Sequence, residues 1–151
     1  MNGEKSGRYL SFELGGESYA LEVERVEVVL EPMPITRVPK APAHLRGVIN
    51  YRGTVIPVVD LRAKFGMSEA EYNRFTVVIV VNVGQRIVGL VVDAVSDVLE
   101  VAPTELVPTP EMGRKVDTSF LTGMAKSTDH LISLLAIDRV VGMDELEKAV
   151  A

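Results

Sequence analysis

The feature that most limits how this chain can fold is that its second half repeats its first. Leu14–Glu31 lies against Val83–Glu100 at a constant offset of 69 positions: Gly15 meets Gly84, Leu21 meets Leu90, Val26 meets Val95, Val29 meets Val98 and Glu31 meets Glu100. Further along, the offset becomes 76. Leu45-Arg46-Gly47 meets Leu121-Thr122-Gly123, Val55–Val59 meets Leu131–Leu135, and Gly66 meets Gly142. The order turn, strand, strand, loop, glycine, hairpin, short helix recurs, which is the mark of two copies of one supersecondary unit.

Within each copy the pattern is that of short strands. Tyr9–Leu14 and Ser18–Val23 flank Gly15-Gly16 as a hairpin. Val26–Leu30 is a further strand, entered through one helical turn, and Pro32, Pro34, Pro39 and Pro42 stiffen the connection after it. His44–Tyr51 and Thr54–Val59 turn about Arg52-Gly53. Pro57 has no N–H to donate, so it demands an edge or a bulge. Asp60 is placed to cap a short helix over Leu61–Phe65. The second copy supplies Thr76–Val83, Ile87–Val92, Val95–Val101, a long loop over 102–118, and a last hairpin of Phe120–Ala125 and His130–Leu135. A C-terminal helix is expected over 143–151. A parallel α/β sheet is rejected, because no helix long enough for a βαβ crossover separates successive strands. Twisted sets of about five strands bury an apolar face by curling into small barrels. The expected fold is all-β, with two tandem five-stranded barrels over 8–72 and 73–142. The repeat leaves the boundary near 66–76 open, so strands can be exchanged between the barrels.

Composition removes several function classes. A net charge of -5 argues against nucleic acid or an anionic membrane as the partner. With no cysteine there is no disulfide and no thiol catalysis, and a reducing cytoplasm is the natural setting. The segment Met1–Gly7 is polar and lacks the apolar stretch of a secretory signal, and the run Val77–Val81 is too short to cross a bilayer. His44 and His130 sit in different halves without a clustered carboxylate, so neither a metal nor a cofactor is expected, and no nucleotide-binding or nucleophile motif is present. The chain reads as a non-enzyme. Gly47 and Gly53 suit positive φ or a bulge. Arg52 reads as a solvated turn charge, and Val26, Val28, Val77 and Val98 read as core. Two small barrels must nevertheless meet, and a valine-lined groove with an arginine at its edge suits an amphipathic helix.

Three segments resemble the CheW-like coupling domain family: Leu45–Arg62 (LRGVINYRGTVIPVVDLR), Gly84–Leu99 (GQRIVGLVVDAVSDVL) and Phe120–Met124 (FLTGM). The similarity runs over residues 8–142, with only the expected helix beyond it, so the stand-alone form fits better than a kinase or receiver fusion. The resemblance implies two SH3-like barrels and a non-enzymatic adaptor. Such an adaptor joins the cytoplasmic tips of transmembrane chemoreceptors to the histidine kinase CheA, in arrays beneath the membrane that hold other copies of the family. It implies no direct membrane insertion. The positions that match a receptor groove are Val26, Val28, Gly47, Arg52, Val77, Gly89 and Val98. The kinase's own CheW-like regulatory domain is expected barrel end to barrel end, against Ile35, Val38 and Pro39 in one half and Val107, Glu111 and Met112 in the other. Ile35 and Val38, held in a proline-stiffened loop, are expected to stay out of the core and form an exposed apolar patch. Some relatives carry glutamate where this chain has Val28, so a partner for Arg52 would have to be Glu27 or Glu31. The competing class is a small barrel that binds RNA or a small ligand. An aromatic content of 5 % and the acidic balance speak against RNA.

Overall fold

The computed structural model describes residues 7–31, 33–39, 44–68, 71–107, 120–127 and 130–141. Strands β1 (Gly7–Leu14) and β2 (Glu17–Glu22) are joined by Gly15-Gly16, both at positive φ. A 3-10 turn over Val23–Arg25 leads into β3 (Val26–Leu30). Strands β4 (Leu45–Tyr51) and β5 (Thr54–Asp60) follow, and the Asp60 carboxylate accepts the N–H groups of Arg62 and Ala63 to start α1 (Leu61–Lys64). Next come β6 (Val77–Val83), β7 (Arg86–Val92) and β8 (Ala94–Val101). Within the expected loop of 102–118, Leu106–Val107 form a short strand β9, and residues 108–118 lie outside the described residues; β10 (Leu121–Ser127), β11 (His130–Leu135) and α2 (Ile137–Val141) complete the described elements. The helix expected over 143–151 lies outside the described residues.

The strands form two sheets, β8-β1-β2-β11-β10-β9 and β3-β6-β7-β5-β4. With the extra two-residue strand β9 set aside and the five strands of each repeat numbered in chain order, both sheets read third, first, second, fifth, fourth. In each sheet the first two strands come from one repeat and the other three from its twin. The exchange is therefore reciprocal, and the division at 72/73 is corrected: one barrel is continuous from Val26 to Val92, while the other combines Gly7–Glu22 with the strands after Asp93. The register irregularities repeat as well, at Leu45/Gly47 and Leu121/Gly123 between the fourth and fifth strands. Each sheet is joined across its middle by a short parallel pairing, β5 with β7 and β2 with β11, between strands that belong to different repeats. Local sequence patterning carries no sign of these contacts.

Pro57 shows how the register accommodates its missing donor. It faces Val48, whose own N–H and C=O both bond to Thr36 at 2.8 and 2.9 Å, so this pair exchanges no hydrogen bonds. The bare nitrogen of Pro57 then faces β7, where pairing begins one residue later at Val58–Gly89.

Three apolar clusters hold the molecule. Ile49, Ile56, Val58, Val78, Val80 and Val91 fill the continuous barrel, and Ala20, Val101, Ala125, Ile132 and Leu134 fill the other. The largest cluster draws Phe12, Tyr19 and Leu21 from one sheet, Ile79, Val81, Val88 and Leu90 from the other, and Ile137, Val140 and Val141 from α2. Along β6, Val78 and Val80 point into the barrel while Ile79 and Val81 point into the joint. Both faces are buried, which explains an antiparallel strand that reads as an unbroken apolar run. A row of rings, Phe12, Tyr19, Phe65 and Phe120, crosses this joint with centroids 5.7 to 6.1 Å apart.

Candidate partner-binding surfaces

Three of the positions matched to a receptor groove lie in one cross-strand row. Val28 pairs with Val80, Val80 with Gly89, Gly89 with Val58, and Val58 with Gly47. The row spans four strand spacings, roughly 19 Å, and its two glycines are buried. A side chain at Gly47, where φ is +150°, would meet the Thr36 carbonyl oxygen at 2.2 Å and Ile35 Cγ2 at 2.8 Å. A side chain at Gly89 would meet Val78 Cγ1 at 2.8 Å. Any influence of these two positions on a partner therefore passes through the packing of the barrel. The structural reading of Gly47, positive φ beside a register shift, holds.

The other positions are dispersed. Val26 and Val77 stand near opposite ends of β6, half-buried against the joint. Val98 lies on β8, an edge strand of the other sheet, and is 52 % exposed. Its repeat equivalent Val29, on the edge strand β3, is also exposed and was not singled out from sequence, although the offset of 69 had paired the two. Arg52 occupies the β4–β5 turn at φ +53°, exposed, with its guanidinium 5.1 Å from the Tyr51 ring centre. Among the described residues neither Glu27 nor Glu31 pairs with it; Glu27 accepts from Asn82 instead.

The barrel end matched to the kinase is built differently from the expectation. Thr36 bridges to Val48 and extends the sheet beyond β4, which draws Ile35 partly into the barrel cluster with Ile49. The expectation that Ile35 stays out of the core is therefore corrected: the bridge turns its side chain inward. Val38 is half-buried and Pro39 exposed. The exposed apolar side chain at this end is Val55, at 63 %, on the rim of a recess of about 450 Å³ lined by Met33, Pro34, Thr36, Val48, Ile49 and Asn50. The other barrel repeats the plan. Val107 in β9 pairs with Met124, the counterpart of Val48, and Leu106 and Leu131 are exposed at 48 and 44 %. Leu131 is the repeat partner of Val55, so the sequence match held the signal. The continuous Val55–Val59 run hid it, because alternation could not separate an outward valine from inward ones. Glu111 and Met112 lie outside the described residues.

The polar contacts gather where the chain passes between sheets. Arg62 on α1 holds Asp93 with two hydrogen bonds, Nε to Oδ1 at 2.9 Å and Nη2 to Oδ2 at 2.7 Å. Asp93 also accepts the Gly15 N–H at 2.9 Å. The Arg62 hydrogen bonds hold the Asp93 carboxyl below its ordinary pKa against the opposing effect of burial, with the Gly15 N–H helping. Arg46 donates Nε to Asp60 at 3.0 Å. Burial opposes the Arg46 charge, but Tyr72 and Asp60 outweigh it and raise its pKa. Among the described residues, no three His, Asp or Glu side chains converge as metal ligands, and no helix is long and apolar enough to cross a membrane.

Two five-stranded barrels fused through a shared apolar joint, with apolar residues exposed on edge strands and barrel ends, define a protein-binding scaffold. A CheW-like domain model matches residues 8–145. The chemotaxis protein CheW of Klebsiella aerogenes is 37 % identical over 145 residues, covering 95 % of this chain and 87 % of the relative. That of Rhizobium meliloti is 38 % identical over 140 residues, covering 93 % and 90 %. The crystal structure of the scaffolding protein TtCheW from Thermoanaerobacter tengcongensis superposes with a TM-score of 0.82 at 31 % identity, covering 89 % of this chain and 91 % of that one. The chain belongs to the CheW-like family. It is a chemotaxis coupling adaptor and not an enzyme, and the reading as an RNA- or ligand-binding barrel is not favoured.

Proposed function

We propose that this chain couples the cytoplasmic tips of transmembrane chemoreceptors to the histidine kinase CheA, in arrays beneath the membrane that contain further copies of the same domain. The receptor's helical tip takes the groove side of the molecule, along the edge strands β3 and β8. The kinase's CheW-like domain takes the barrel ends, around Ile35, Val38, Pro39 and Val55 on one barrel and Val107, Leu106 and Leu131 on the other. The carrying observation is that exposed apolar residues recur at repeat-equivalent positions, Val29 with Val98 and Val55 with Leu131. Exposed patches of this kind mark contact surfaces.

The experiment titrates two variants separately against a receptor cytoplasmic fragment and against the CheA regulatory domain. Val98→Asp is expected to lose at least about tenfold in receptor affinity and keep kinase binding, and Val55→Asp to do the reverse. Equal losses against both partners would show that the surfaces are not separate and would overturn the assignment.

A further inference from the structure

Among the described residues the chain passes between the two sheets only twice, from β2 to β3 through Val23–Arg25 and from β7 to β8 at Asp93. Each passage carries one half of an ion pair, and the other half comes from the short helix that follows a fifth strand. At the second passage Asp93 is held by Arg62 of α1. At the first, Arg25 is held by Asp138 of α2, and its Nε also donates to the Asn82 carbonyl on β6 at 3.0 Å. Arg62 and Asp138 are repeat partners at the offset of 76, and Asp93 lies one position from the partner of Arg25 at the offset of 69, so the two pairs occupy closely similar places with their charges reversed. Each ties together parts of both sheets. The Arg62 pair links α1, which follows β5, to the Gly15 turn of the other sheet through Asp93, whose N–H also donates to the Glu13 carbonyl at 3.1 Å. The Arg25 pair links β6 to α2, which follows β11.

We infer that Arg62–Asp93 and Arg25–Asp138 are two latches at these hinges between the barrels, and that they position the edge strands β3 and β8, which emerge directly from those hinges. The apolar joint holds the barrels together without fixing their angle, because burial is not directional. A bidentate guanidinium–carboxylate pair is directional and fixes it. The stronger latch is Arg62–Asp93, bidentate with both side chains largely covered, at 23 and 32 % exposure. The weaker is Arg25–Asp138, where the Asp138 side chain is 68 % exposed. The four residues act as positioning residues, reaching the partner only through the orientation of β3 and β8. That consequence rests on the groove reading above.

The test is a distance measurement between spin labels, one on each barrel. The chain contains no cysteine, so Gln85→Cys in the β6–β7 turn and Lys126→Cys on β10, both exposed, take labels without further change. The parent should give one narrow distance distribution. Arg62→Ala should broaden or shift it, Arg62→Lys, which keeps the charge and loses the bidentate geometry, should broaden it to a smaller degree, and Arg62→Ala with Arg25→Ala should broaden it further. Circular dichroism confirms that each variant is folded at the measuring temperature, and Arg62→Gln replaces Arg62→Ala should that variant not fold. A folded double variant with the parent distribution would overturn the inference. Receptor-fragment affinity, measured on the same variants, should fall about fivefold or more as the distribution broadens, with CheA binding retained. A broadened distribution with unchanged receptor affinity would confirm the latches and refute the groove reading.

Discussion

The two barrels have the same strand order and the same bulge, yet their equivalent glycines face opposite surroundings. In the continuous barrel, Gly47 sits under the Thr36 bridge with no room for a Cβ and with φ at +150°. In the other, a methyl group on Gly123 would meet nothing within 4 Å. The cores differ in the same direction. The continuous barrel is filled by isoleucine and valine, while its twin includes Ala20 and Ala125. The added strand over Gly47 is a single bridge at Thr36, held against β4 by two short hydrogen bonds, whereas β9 reaches β10 over two residues. One architecture thus tolerates two degrees of closeness at the same place. Where the closer fit is used, a position that looks interchangeable by repeat becomes strictly glycine.

The sharpest way to break this comparison is a matched pair of alanines. Gly47→Ala is expected to destabilise by on the order of 3 kcal/mol, since both the backbone angle and the Thr36 carbonyl oppose it. Gly123→Ala should stay within about 0.5 kcal/mol. Urea denaturation of the two variants reads the difference directly, and similar losses would mean that the barrels are packed alike at this bulge.

The latches supply the next comparison. Arg62→Ala should cost about 1 to 2 kcal/mol, and Arg25→Ala under about 1 kcal/mol because Asp138 is largely in water. Denaturation midpoints check the order, and an Arg25→Ala loss larger than that of Arg62→Ala would reverse it.

Acid should discriminate the latches too. Asp93 has its pKa depressed in the folded state, first by the Arg62 hydrogen bonds. Its contribution is complete above the unfolded-state pKa and is lost as pH falls through the folded-state value, because the unfolded chain binds the proton first. The parent protein should therefore lose stability more steeply than Asp93→Asn as pH falls from about 5 through the folded-state value below 3.8. Parallel slopes for the two proteins would remove Asp93 from the acid response.

The smallest expected effect is at Arg52. It is exposed, stacks on Tyr51, and has no carboxylate partner among the described residues. Arg52→His should leave stability within about 0.5 kcal/mol, leave CheA binding unchanged and weaken receptor binding. A collapse of the melt, or an equal loss toward both partners, would make Arg52 structural.

Most strands, both glycine turns, the Asp60 cap and the repeat were legible in the amino-acid sequence, because each is written in neighbouring residues: alternating or continuous apolar runs, glycine at a turn, aspartate before a helix. Helix α2 was legible in principle, since α1 shifted by 76 falls upon it. Three things were not. The inward turn of Ile35 depends on a bridge between Thr36 and Val48, twelve residues apart across a proline-rich loop. The exposure of Val55 depends on which end of an apolar run overshoots the barrel. The cross-repeat ion pairs depend on which barrel each corner belongs to.

That last point marks the division. The sequence by itself determined that there are two copies of a five-strand unit, where their turns lie and which residues are apolar. Only the tertiary structure decided that the first hairpin of each copy pairs with the remaining strands of the other. Two similar repeats offer nearly the same partners to each hairpin, so local pattern cannot choose between keeping and exchanging strands. The choice falls to contacts far apart along the chain: the joint where Phe12, Ile79 and Val140 meet, and the two crossings at Val23–Arg25 and Asp93 that have to be spanned without a long loop.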